Sequence, residues 1–137
     1  MVRRLTAVFV ATLLMLLAFP ARPGAHTVVL TPKVSRTKIP KGAVERGDVV
    51  VILGRVATSD STCFAGVLVE LVRIRQGVEK ILEVDQADAQ GEYAFKRRPR
   101  RDERLFARFP GFVEVVAGHS HTCGAAVSRV VRIRVRG

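Results

Sequence analysis

The chain opens with a nearly unbroken apolar stretch, residues 5–19, and after it almost nothing repeats with a helical period. Short runs of β-branched residues recur instead, separated by Gly, Pro and Asp, which is the pattern of strands and turns. Residues 27–30 form the first run, and Thr31-Pro32 is expected to end or kink it. Residues 33–46 are polar, carry Pro40 and Gly42, and predict an irregular connection or a weak edge strand. Gly47-Asp48 then turns into Val49-Val50-Val51-Ile52-Leu53. That run is apolar at every position and predicts a central strand covered on both faces.

Residues 67–75 predict the next strand. Val67, Val69 and Leu71 share one face, whereas Val72 and Ile74 carry the apolar pattern onto the other parity, which predicts a bulge near Leu71. Gln76-Gly77 is a hairpin turn into a strand at 79–85, and residues 88–91 are a second turn into a strand at 93–95. Leu105, Ala107 and Phe109 alternate, Pro110-Gly111 turns, and residues 112–117 form a further strand. In the last strand Val127, Val131, Ile133 and Val135 alternate with Arg132, Arg134 and Arg136, giving one core face and one positive face. About seven strands and no helix predict an all-β domain, a single Greek-key β-sandwich of two sheets.

The apolar stretch at the start is too short to span a bilayer, which needs about 20 residues. Arg3 and Arg4 precede it, Pro20 breaks it, and small residues follow at Ala21, Gly24 and Ala25. Charge, apolar core and small-residue cleavage site occur in the order of a secretory leader. Residues 1–25 are therefore expected to be a signal peptide, cut after Ala25 in preference to Ala21, with residues 26–137 as the domain. Export makes the chain secreted, extracellular or periplasmic at the cell envelope. In such an oxidising compartment the only two cysteines, Cys63 and Cys123, are expected to form one disulfide. Closing so long a loop is worth about 4 kcal/mol in the chain-entropy treatment.

Charge adds a second bias. Loss of Arg3, Arg4 and Arg22 with the leader leaves 20 basic against 12 acidic side chains, a net +8. The densest basic segment joins Lys96, Arg97, Arg98, Arg100, Arg101 and Arg104 around Pro99, which predicts an extended loop between two strands. Such a loop suits an anionic partner, either a polysaccharide, another envelope polymer or lipid headgroups. Arg132, Arg134 and Arg136 extend the patch if the fold brings the two regions together. A charged edge that blocks strand-to-strand aggregation has the same composition. Nucleic acid is not expected, because the chain is exported and its eight aromatic residues fall mostly at core positions, few of them near the patch.

Gly54-Arg55-Val56, Ala65-Gly66-Val67-x-Val69-x-Leu71 and Asp88-x-x-Gly91-x-Tyr93-x-Phe95 together resemble carboxypeptidase-regulatory-like domains. The wider group includes transthyretin-like and collagen-adhesin B-type modules. The resemblance spans roughly residues 54–95 and implies a β-sandwich in which glycines open the strands. B-type modules join a lysine to an asparagine through an internal isopeptide bond, and this chain contains no Asn.

Signatures of catalysis are lacking. The five serines sit outside any G-x-S-x-G elbow, and there is no H-E-x-x-H, no P-loop and no dinucleotide-binding glycine pattern. Glu79, Glu83, Asp85 and Asp88 line a predicted hairpin, where outward-facing carboxylates are ordinary. We therefore expect a non-enzymatic binding or structural module that needs no cofactor. A second class of function is a periplasmic-type copper-binding chaperone. His119-Ser120-His121 in an extended stretch places two imidazoles on one face, and cleavage after Ala25 makes His26 the amino terminus, where amine and imidazole chelate copper together. Copper chaperones of β-sandwich fold resemble the chain in this choice of residue. The same stretch, flanked by Gly118 and Gly124, equally predicts an exposed loop.

Overall fold

The computed structural model describes residues 25–36 and 42–137. The predicted leader, apart from Ala25, and the stretch around Pro40 lie outside them. Among the described residues twelve short strands follow in order: β1 Ala25–His26, β2 Val29–Arg36, β3 Ala43–Glu45, β4 Val50–Ala57, β5 Leu68–Arg75, β6 Val78–Gln86, β7 Glu92–Arg97, β8 Glu103–Phe109, β9 Phe112–Val116, β10 His119–Cys123, β11 Ala126–Val127 and β12 Val131–Arg136. One turn of 3-10 helix, Ser61–Cys63, is the helical element among the described residues.

The fold is an all-β sandwich, with its hydrogen bonding divided into three sheets where two were expected. The large sheet runs β3-β12-β8-β5-β6 with β11 also on β8, the small sheet runs β2-β4-β7, and a hairpin sheet runs β1-β10-β9. The chain crosses from the small sheet into the large one after β4 and returns before β7, so the β5–β6 hairpin interrupts two strands that pair with each other. Between the sheets lies one core. Val50, Ile52, Val56, Tyr93 and Phe95 come from β4 and β7, and Val69, Leu71, Leu105, Ala107, Phe109 and Ile133 from β5, β8 and β12. Each set alternates along its strand because successive side chains point to opposite faces.

Several expectations are corrected. Thr31-Pro32 does not end the first strand: β2 passes through Pro32, which pairs with Gly54. β2 is the outer strand of its sheet, where a residue without an N–H is tolerated. β4 is central but covered on one face only, since Leu53 remains 38% exposed while Ile52 is buried. The irregularity at Leu71 is real, but the extra residue belongs to β6: Leu71 pairs with Glu83 and Val72 with Ile81. Side chains of β5 therefore never change parity, and Val72 lies on the outer face. Val127 is not part of the last strand. It sits in β11 and is 63% exposed.

Turn chemistry holds the hairpins in register. Gln76 and Gly77 both have positive φ, 51° and 77°, the left-handed pair of a two-residue hairpin. The Asp88 carboxylate accepts from the Gln90 and Glu92 backbone N–H groups, closing the turn that leads Tyr93 and Phe95 into the core. Gly54 does not open β4 but lies within it, opposite Tyr93, and a Cβ there would run into the tyrosine ring and hydroxyl. Burial pushes that hydroxyl up to about 12, so it stays protonated. We expect Gly54→Ala to cost about 2 kcal/mol through overpacking. Urea denaturation should show this loss, and pairing the change with Tyr93→Leu should recover part of it. Equal losses in the single and double variants would place the cause in the β4 backbone.

Candidate anion-binding face

Strand pairing brings the two basic regions of the sequence together. Arg132 of β12 stands directly opposite Arg104 of β8 in the antiparallel ladder. Both are exposed, as are Arg134 and Arg136 farther along β12. On this strand Val131, Ile133 and Val135 point inward, so the three arginines occupy the outer face. Like charges directly opposite one another destabilise a sheet. No carboxylate among the described residues forms an ion pair with Arg104 or Arg132.

The dense basic segment divides into two groups. Lys96, Arg98, Arg100 and Arg101 are exposed. Arg97 is not part of a solvated loop: it ends β7 and turns inward, with Nη2 donating to Glu103 Oε1 at 3.0 Å. Glu103 is 6% exposed, and Arg73 Nη1 approaches the same oxygen at 4.0 Å. Pro99 is fully buried, so the segment is anchored between the ends of β7 and β8. The Asp102 carboxylate accepts from the Val135 backbone N–H at 2.8 Å. Both acidic residues beside the basic run are thus committed to the fold. The role of Glu103 was missed on reading the sequence, although the signal was there. Arg73, Arg97 and Glu103 each continue the inward parity of apolar neighbours: Val69 and Leu71, Tyr93 and Phe95, and Leu105 and Ala107.

A hollow of about 370 Å³ adjoins the Arg104–Arg132 pair, lined by Ile74, Arg75, Asp102, Glu103, Arg104 and Arg132 among others. Farther along the same outer face Arg108 is already compensated. Its Nε donates to Glu70 at 2.7 Å and its Nη1 to Glu79 at 3.2 Å. The hydrogen bond to Glu70 raises the arginine above its ordinary value. Of the other hairpin carboxylates, Asp85 also serves the fold, accepting from the Ala94 N–H at 3.0 Å across the gap between β6 and β7.

At the other end of the sandwich Cys63 and Cys123 form the expected disulfide, with Cα atoms 5.4 Å apart and both residues buried. It ties the 3-10 turn to the last residue of β10. The stretch holding His119 and His121 is not a loop but β10 itself, paired along its whole length with β9. The two histidines share a face, on which His121 lies opposite Glu114. The backbone of His26 runs parallel to β10 in register with Cys123. Among the described residues no group of three or more His, Cys, Asp or Glu is placed to hold a metal ion. Also among them, no helix is long and apolar enough to cross a membrane.

Comparison of the chain with protein-family models and with curated proteins gives no match.

Proposed function

We propose that the chain is an exported, non-enzymatic binding module whose basic face docks an anionic partner. One observation carries this proposal above the others: Arg104 and Arg132 lie side by side on an exposed face while Asp102 and Glu103 are engaged elsewhere. A purely structural sheet gains nothing from such a pair, which an anion would stabilise with charge-assisted hydrogen bonds. The disulfide and the leader-like start of the chain support export. The resemblance to carboxypeptidase-regulatory-like domains belongs to the same proposal, as a sandwich serving a binding or accessory role.

Retention on a heparin column tests it. The secreted protein should be retained at low salt and elute as salt rises, since the screening length falls from about 10 Å at 0.1 M to about 3 Å at 1 M. Replacing Arg98, Arg100, Arg101 and Arg104 with Ser should shift elution to clearly lower salt and leave the Tm nearly unchanged, because exposed charges contribute little to folding. Arg97 is left in place because it is bonded to Glu103. Unchanged elution on both heparin and anionic vesicles would remove the proposal. Intact mass and amino-terminal sequencing of the same sample should give a chain starting at His26.

A further inference from the structure

The basic face has a direction. Arg132, Arg134 and Arg136 follow one another on the outer side of a single strand, so their Cα atoms advance by about 6.6 Å per step. Opposite Arg134, on the neighbouring strand, stands buried Ala43, which leaves that side of the line low, and opposite Arg136 stands exposed Glu45. The line is thus bordered by one carboxylate at its far end and is most strongly positive at Arg134 and Arg132. At the Arg132 end the line widens, because Arg104 stands about 5 Å away on β8. There it meets the hollow lined by Arg75, Arg104 and Arg132. Of the two carboxylates lining that hollow, Glu103 is neutralised by Arg97, and Asp102 is held by the Val135 N–H with its charge in place, so the three arginines of the hollow outnumber one carboxylate. The guanidinium groups have no ion-pair partner among the described residues.

We infer that this line is a track for a linear acidic polysaccharide. The polymer lies along β12, its carboxylate or sulfate groups meeting Arg136, Arg134 and Arg132 in turn, with one further acidic group seated between Arg75, Arg104 and Arg132. This rests on the anion-binding proposal and narrows it to one class of polymer and one orientation. Guanidinium groups suit the ligand because their planar forks accept carboxylate and sulfate oxygens in pairs. Single-stranded nucleic acid fits the face less well. Such strands are held by stacking on aromatic rings, and the ring on this face, Phe106, is buried. A bilayer fits less well too. Membrane-surface elements seat Trp, Phe or Leu in the headgroup boundary. Beside the track the exposed apolar side chains are the short Val127 and Val130, and the exposed Leu68, Ile81 and Val84 of the same outer face lie on β5 and β6, away from β12.

The test uses the full secreted protein, size-defined heparin oligosaccharides and polygalacturonate as a carboxylate-only polymer. Affinity should rise with oligosaccharide length until the track is filled, then level off. Arg132→Ser, Arg134→Ser and Arg136→Ser combined should weaken binding at least tenfold, whereas Arg98→Ser, Arg100→Ser and Arg101→Ser combined should weaken it only about twofold. The corresponding triple lysine variant keeps the charge and should regain part of the affinity, which separates lost contacts from lost folding. Three outcomes overturn the track. If the loop variant loses binding and the β12 variant does not, the basic face survives without it. If phosphatidylserine vesicles or oligo-dT bind more tightly than every polysaccharide, the partner class is wrong while the basic face stands. If none of these polyanions binds, both proposals fall.

Discussion

Replacing Cys63 and Cys123 together with Ala is expected to lower the unfolding free energy by about 4 kcal/mol. The crosslink joins residues 60 apart, and a loop of that length removes roughly this much entropy from the unfolded chain. Both residues are almost fully buried, so the cavities left by the two sulfurs add to the loss. For a domain of about 100 residues each kcal/mol moves the Tm by about 4–8 °C, so a fall of at least about 16 °C is expected. The structural consequence is local as well. Strand β1 and the β9–β10 hairpin form a sheet of their own, and the disulfide ties the end of β10 to the turn before β5. Hydrogen exchange should therefore quicken first in residues 112–123. A double variant melting within about 5 °C of the parent would show that packing, not the crosslink, holds this hairpin.

Strands whose apolar residues alternate were legible because periodicity 2 leaves little choice of face. Leu105, Ala107 and Phe109 are buried as their spacing predicts, and the arginines of β12 point away from Ile133. Failures came where a long-range pairing decided the outcome. Pro32 is a breaker by local rules, and only its place on the outer strand of a sheet makes it harmless. The turn between β9 and β10 went unread because it uses Ala117 and Gly118, both with positive φ, and alanine rarely adopts that conformation. With the turn missed, His119 and His121 were open to description as a loop, although they lie in the middle strand of a sheet.

The candidate site was legible only in part, for a related reason. Density of charge along the chain pointed to residues 96–101, but density does not say which charges face water. Parity does. Lys96, Arg98 and Arg104 lie outward, while Arg97 and Glu103 share the inward parity of their apolar neighbours. The β5–β6 neighbours were legible from the Gln76-Gly77 turn, but which strands distant in sequence adjoin was not, and the meeting of Arg104 with Arg132 depends on it. The basic face is therefore a property of the β8–β12 ladder more than of the loop that first drew attention.

Glu103→Gln is expected to destabilise the domain by about 3 kcal/mol, nearly as much as loss of the disulfide. Glu103 is the sole acidic partner of Arg73 and Arg97 among the described residues, and its side chain is only 5% exposed. Breaking a buried ion pair at one partner typically costs 3–5 kcal/mol, because the charge left behind has lost both water and its counterion. The arginine side chains remain 22% and 24% exposed, so some solvation survives and the lower end of that range applies. Glutamine keeps the shape of the side chain, so the loss measures charge and hydrogen bonding more than a cavity. Glu103 Oε2 and the Nε atoms of Arg73 and Arg97 are buried without hydrogen-bond partners, so the cluster is incompletely satisfied even in the native fold. An apolar replacement of the whole cluster, Arg73→Met with Arg97→Leu and Glu103→Leu, should then be much less damaging than Glu103→Gln alone. Urea denaturation at neutral pH ranks the two variants. The ranking also separates folding from binding: Glu103→Gln should keep its retention on heparin at temperatures where it remains folded, because Arg104 and Arg132 still face solvent. If Glu103→Gln instead matches the parent in stability, the arginines find enough water without it, and the cluster is a surface feature of the loop and not the closure of the sandwich.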